Sequence, residues 1–299
     1  MLSNALLMLP DFGTILLGAV LARRFAFQRG FWDGAERLVY YALFPPLLFT
    51  SIVNAKFTFA SEGRMLAAAV GAFLAAVALG FASRWLFRPA PAFFASCVQT
   101  AFRYNSYVGL ALAQSLAGPR GVALMALIIA ICVPLANAFA VFALARHRQT
   151  GVLREMAVNP LILATVSGLV ANLLGFEMPT LLGTFLSRLG TASLALGLLC
   201  IGAGLTFASV HEERPTMSYL VSIKLLAMPA LGLWFTYLLG LTGTPALIVQ
   251  LFTALPTASS AYILAARMGG HAAPVAYAIT VQTLLAMLTL PVWISLAPR

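Results

Sequence analysis

Gln99-Thr100-Ala101-Phe102-Arg103-Tyr104-Asn105-Ser106-Tyr107 stands in the middle of an otherwise apolar run from Phe93 to Leu116, and no other apolar run of the chain holds so much polarity. Inside a soluble core such a cluster would be one of many. Inside a bilayer, a charge at the centre costs about 2.5–3.5 kcal/mol on insertion scales and persists where it faces a cavity or a partner. Whether this run crosses a membrane therefore decides how Arg103 is read, and composition answers that question.

The 299 residues are 62% hydrophobic, with 18 basic and 8 acidic side chains, so only 9% are charged. A soluble domain carries about 25% charged residues to keep its surface wet, and this chain cannot cover itself that way. With roughly 20 apolar residues per transmembrane helix, ten spans can be read. They are about Leu2–Ala22, Ala35–Val53, Met65–Phe87, Phe93–Leu116, Val122–Ala145, Pro160–Leu174, Gly190–Ala208, Tyr219–Leu241, Pro245–Met268 and Ala273–Leu296. What remains is too short for a soluble domain. The expected fold is an all-α polytopic membrane protein of ten transmembrane helices.

Charge placement orients these spans. No basic residue precedes the first span, and Arg23, Arg24 and Arg29 follow it, which argues against a cleaved signal peptide and for an outside N-terminus. Alternation then puts Arg23, Arg24, Arg29, Arg37, Arg84, Arg88, Arg146, Arg148, Arg154, Arg214, Lys224 and Arg267 on the cytoplasmic side, with Lys224 snorkelling to that surface. Opposite them lie Lys56, Arg64, Arg120, Arg188 and Arg299, a balance of twelve to five. The expectation is a multi-pass plasma (inner) membrane protein with both termini extracytoplasmic. The net charge of +10 arrives singly or in twos rather than along one face, so no nucleic-acid partner is expected. Cys97, Cys132 and Cys200 all lie in apolar runs and read as packing residues, not disulfides.

An internal repeat is visible. Pro10 and Gly18 recur as Pro160 and Gly168, Arg37-Leu38 as Arg188-Leu189, Phe57 as Phe207 and Gly118 as Gly270, all offset by about 150 residues. The matches superpose residues 1–150 on 151–299 as two five-helix halves. Five is odd, so the halves have opposite orientation in the bilayer, the inverted-repeat layout of secondary transporters, whose sites lie near the midplane.

At the repeat offset Asn105 falls on Thr257, within Leu255-Pro256-Thr257-Ala258-Ser259-Ser260-Ala261-Tyr262. Pro256 removes a backbone donor and frees the carbonyl four residues earlier, so this helix should break at mid-membrane. Unwound turns expose half-helix ends that hold anions. Three readings of Arg103 stand: counter-charge for an anionic substrate, fixed stand-in for a coupling cation, or a structural residue steadying backbone carbonyls.

These residues also carry a family likeness. Phe102-Arg103-Tyr104-Asn105 followed by Gly109-Leu110-Ala111-Leu112 and Gly118, then Asn159-Pro160-Leu161-Ile162, Lys224-Leu225-Leu226-Ala227-Met228-Pro229 and Leu255-Pro256-Thr257-Ala258, resemble the auxin efflux carrier family. That family takes in plant PIN carriers and bacterial permeases for malate or malonate. The resemblance covers essentially the whole chain in order. It implies two inverted five-helix repeats, crossed and broken helices four and nine, and an elevator-like transport domain against a scaffold that often dimerises. By motif match it implies Asn105 as a substrate-contacting side chain and Pro256 as the break in the second crossover helix. No long loop separates helices five and six, so the phosphorylation control of the long plant carriers does not transfer.

The candidate substrate site is therefore Arg103, Tyr104 and Asn105 with Pro256, Thr257, Ser259 and Ser260, to which Asn137, behind Pro134 in the fifth span, is added. The expected function is secondary transport of a small organic anion, a carboxylate, by a homodimeric carrier in the lipid bilayer, without cofactor or metal. No ATP-binding P-loop is present, so an ion gradient, proton or sodium, or the substrate's own gradient must drive it. A sodium-coupled organic-anion symporter of the bile-acid type is the alternative. An intramembrane enzyme is excluded by the absence of buried aspartate pairs and of HExxH, with His147, His211 and His271 at loops or helix ends. Asp11, near the outer end of the first span, reads as an interfacial cap, and Gly202-Ala203-Gly204 as helix packing.

Overall fold

The computed structural model describes residues 2–25, 27–54, 59–144, 160–205, 213–258 and 260–298, and all regular elements among them are helices. Helix α1 (Leu2–Arg24) precedes α2 (Arg29–Leu38), which passes through a π turn (Val39–Leu43) into α3 (Phe44–Val53). Next come α4 (Phe59–Leu86), α5 (Pro91–Cys97) with a 3-10 turn (Val98–Ala101), and α6 (Ser106–Leu144). The second half has α7 (Pro160–Leu173), α8 (Thr180–Ala203), and α9 (Arg214–Ser222) joined by a π turn (Ile223–Ala227) to α10 (Met228–Leu238). Helices α11 (Gly243–Ala254), α12 (Ser260–Arg267) and α13 (Ala272–Ser295) complete it.

Proline and glycine set most of the joints. Pro91, Pro160, Pro215 and Pro245 sit in first helical turns, where the missing N–H has no partner to lose. Gly118, at φ 59° and ψ −154°, divides α6 just before Pro119; a left-handed φ of this kind suits a residue without Cβ. The fourth and fifth expected spans thus part at Gly118, within the residues 106–144. Pro229 cannot donate to the carbonyl of Leu225, and the indole N–H of Trp293, on α13, donates to that oxygen at 2.9 Å instead.

The same π turn corrects one expectation. Lys224 does not snorkel to a surface: it is fully buried, with Nζ 3.0 Å from the Met228 sulfur and 3.4 Å from the Thr253 carbonyl oxygen on α11. One extra residue in a helical turn rotates the following face by about 100°, and the lysine stem runs into the helix packing. The basic asymmetry falls to eleven against five.

Glycines also let helices touch. A Cβ on Gly18 would strike the main chain of Leu199, and one on Gly202 the carbonyl of Ile15, so α1 and α8 meet backbone to backbone. Gly168 lies against Phe49 and Ile52, which seats α7 on α3 in the same manner. Close small-residue crossings are how helices pack where lipid offers no hydrophobic driving force, and Gly202 falls in the stretch expected to serve packing.

The outside of this bundle is apolar. Leu181 is 88% exposed, Leu174 80%, Phe142 74% and Leu288 72%, far beyond what water tolerates as a continuous surface. Five helical stretches, 62–86, 91–144, 180–203, 214–238 and 272–295, are long and apolar enough to cross a membrane. The molecule is an all-helical, multi-pass membrane protein.

Candidate functional site

The chain leaves helical conformation at Phe102–Asn105 and again at Leu255–Ala258. Buried backbone groups released by such breaks need partners, and each stretch finds them on the other. The Asn105 N–H donates to the Pro256 carbonyl at 2.8 Å. The Thr257 hydroxyl donates to the Thr100 carbonyl at 2.9 Å and lies 3.3 Å from the Arg103 carbonyl. From α13, Gln282 clamps both: its Oε1 accepts the Thr257 N–H at 3.0 Å, and its Nε2 donates to Thr100 O at 3.0 Å. The carbonyl of Phe252, which Pro256 cannot serve, accepts from the Leu255 N–H at 3.4 Å.

Asn105 has a task of its own. Its Oδ1 accepts the N–H groups of Tyr107 at 3.1 Å and Val108 at 3.3 Å, capping the start of α6. The side chain expected to contact substrate thus also serves the helix through its oxygen.

Arg103 is 8% exposed. Its Nη1 lies 3.4 Å from Gln99 Oε1, and its Nη2 donates to Ser260 Oγ at 3.2 Å. The guanidinium thus spans from its own arm to the first residue of α12. It borders a cavity of about 180 Å³, smaller than the roughly 300–1,000 Å³ of drug-sized sites. Tyr104, Asn105, Asn137 and Ser260 line the same space, with Ser106 and Tyr107 beside them. Tyr104 packs its ring edge on Phe252, centroids 4.7 Å apart, and its buried hydroxyl has no hydrogen-bond partner among the described residues. Pro256 and Thr257 brace the crossing beneath the cavity and are not part of its lining, and Ser259 lies outside the described residues.

Sequence reasoning misses three contributors. Glu36 and Tyr40 reach the cavity from the second span; their i, i+4 spacing, one helical face, is the signal that could have found them. Gln282 is a polar residue in the middle of the apolar run 273–296, and only the fold shows that it serves both breaks. Glu36 also borders a second, wider space of about 410 Å³, lined by Arg29, Asp33, Trp32, Cys200 and Tyr262 among others. Asp11 accepts from Ser115 Oγ at 2.8 Å, a contact between α1 and α6 away from this cavity.

The molecule is thus a membrane bundle with an apolar exterior that encloses a small polar cavity bordered by Arg103 and Glu36. Residues 142–294 match the family described as "Membrane transport protein". The chain is also 26% identical over 298 residues to a protein of Rhizobium meliloti (strain 1021) named "Putative malonate transporter", covering 95% of this chain and 92% of that protein. The family match takes in just over half of the chain, which belongs to this family, that of the auxin efflux carriers, and is a membrane transporter rather than an enzyme.

Proposed function

We propose that the chain is a secondary active transporter of a small organic anion, a carboxylate such as malonate, working by elevator-type alternating access. The observation that carries the reading is Arg103: a buried guanidinium held by Gln99 and Ser260 between two interrupted stretches, facing a small cavity. An incoming carboxylate matches the planar guanidinium in charge and geometry, and the Tyr104 hydroxyl, which has no hydrogen-bond partner among the described residues, is a further donor. Asn105, Asn137 and Ser260 complete the polar lining, while Pro256 and Thr257 hold the crossing and Ser259 adjoins it in sequence. Malonate is the solute in the name of the Rhizobium relative, and a site of this size suits it.

The architecture proposed is ten spans in two inverted five-helix repeats, residues 1–150 and 151–299, with spans four and nine crossing at their breaks. One pair of equivalent contacts supports it. Gly18 of α1 packs on α8, span one on span seven, and Gly168 of α7 packs on α3, span six on span two; Gly18 and Gly168 are the repeat-equivalent glycines. Packing also falls into two groups, supporting an elevator. Helices α1, α3, α7 and α8 pack chiefly on one another, and α4, α6 and α9–α13 form the rest around the crossing. The first group would be the scaffold, dimerising through the exposed Leu174, Leu181 and Phe185.

Uptake of labelled malonate by purified protein in liposomes, competed with monocarboxylates and indole-acetate under imposed proton or sodium gradients, tests the function. Saturable uptake that needs Arg103 is expected; a cationic or neutral solute carried in its place overturns the anion reading. The plasma-membrane topology with both termini extracytoplasmic predicts that Ser3→Cys and Pro298→Cys react with an impermeant maleimide in intact cells. Protection of both until lysis reverses it.

A further inference from the structure

We infer that Glu36 is the proton acceptor that couples anion binding to proton uptake, one proton for each anion bound at Arg103. The inference rests on the anion reading above and adds the coupling ion to it.

Glu36 and Arg103 line the same cavity of about 180 Å³. Among the described lining residues Arg103 is the one base and Glu36 the one acid. An anion entering this space adds a second negative charge where desolvation leaves charge poorly screened. Protonating Glu36 removes the conflict and converts a repelling carboxylate into an O–H donor for the newcomer. Binding of the anion and binding of the proton therefore favour one another, and linkage requires the effect to be mutual.

The titratable and charged groups around Glu36 among the described residues are few. Arg29, Asp33 and Tyr40 come from Glu36's own stretch, Arg103, Tyr104 and Tyr107 from the first break and the start of α6, Cys200 from α8 and Tyr262 from α12. Asp33, the other carboxylate among these, borders the wider space but not the inner cavity. Glu36 borders both, so the same carboxyl group can exchange its proton on the wide side while it answers to the anion on the narrow side. The position on the first turns of the second span, one residue inside Ala35–Val53, suits such an exchange.

Calorimetry of malonate binding to the purified protein, in buffers of different ionisation enthalpy near pH 7, reads the protons taken up. About one per malonate is expected. The apparent Kd should rise with pH, by up to about tenfold per unit, within the window between the pKa of Glu36 in the empty and in the occupied protein. From about pH 6.5 to 8.5 malonate itself stays largely a dianion, so the proton counted is the protein's. Glu36→Gln, which mimics the protonated acid, should bind malonate with no proton taken up and no pH dependence. Asp33→Asn should leave the uptake unchanged.

Malonate binding by the wild type without proton uptake, at a flat affinity, overturns the coupling and leaves the anion reading standing. Uptake that survives in Glu36→Gln, or disappears in Asp33→Asn, also overturns the assignment. Should Glu36→Gln fail to fold, Glu36→Asp keeps the acid on a shorter stem and must move the pH midpoint; an unmoved midpoint counts against Glu36. Absence of binding by malonate and every other carboxylate, in wild type and variants alike, removes the anion reading and this inference with it.

Discussion

At Phe102–Asn105 the new helix start is capped from within, Asn105 Oδ1 receiving the Tyr107 and Val108 N–H groups. At Leu255–Ala258 the helix ends because Pro256 has no N–H to give, and Thr257 turns outward to the carbonyls of the opposite arm. The two stretches, which the proposed repeat makes equivalent, divide the work. The first supplies Arg103, Tyr104 and Asn105 to the cavity lining, whereas among the described residues the second supplies Ala258, with Ser260 following at the start of α12. Symmetry of sequence position does not make a symmetric site: one arm faces the cavity and the other holds the first in place.

Arg103→Gln is the hardest test of that division. Removing the charged partner of a desolvated anion costs about 2–5 kcal/mol, so carboxylate affinity should fall by at least about 30-fold in a thermal-shift titration. Arg103→Lys keeps the charge without the planar fork and should fall between. An Arg103→Gln protein that binds as well as wild type but only with sodium would instead make the guanidinium a stand-in for a cation.

Gln282→Leu should come next, and it attacks the bracing rather than the cavity. It leaves the Thr257 N–H without its acceptor and takes one donor from Thr100 O; at about 1–3 kcal/mol for each buried group left unpaired, a loss of about 2–4 kcal/mol is expected. Thermal unfolding in detergent measures it, and an unchanged midpoint would mean that the arms do not depend on α13.

Asn105 separates the two duties on one residue. Asn105→Ala should cost about 1 kcal/mol of stability from the lost cap and weaken binding as well, whereas Asn105→Asp keeps an acceptor suited to a helix start but sets a negative charge beside the anion. Normal stability with weakened malonate binding in the aspartate variant is the expected result. Equal losses of stability in both variants would assign the side chain to something other than capping. The smallest effect belongs to Thr257→Ser, which keeps the hydroxyl and should stay within about 0.5 kcal/mol; Thr257→Val, losing it, should cost about 1 kcal/mol.

The parts of this fold that composition can express were legible. A bilayer requires long apolar runs, and the runs around Arg103 and Pro256 stand out because a charge and a helix breaker are rare there. Glu36, Tyr40 and Gln282 were not, because each is a single polar residue whose meaning depends on helices far away in the chain. Lys224 misled for a different reason: a π turn rotates the helix out of its 3.6-residue register, and no periodic pattern reports the rotation.

The bond from Trp293 to the Leu225 carbonyl, described above as filling the gap left by Pro229, also makes an optical reporter. Of the four tryptophans, Trp293 ties the last helix to the π turn between α9 and α10 through its N–H. Indole emission depends on whether that N–H is bonded and on the polarity around the ring. A protein in which Trp32, Trp85 and Trp234 are replaced would therefore carry a built-in signal for one question about turnover: steady emission through the cycle means α13 travels with α9 and α10 as a single body, and a shift means it slides past them.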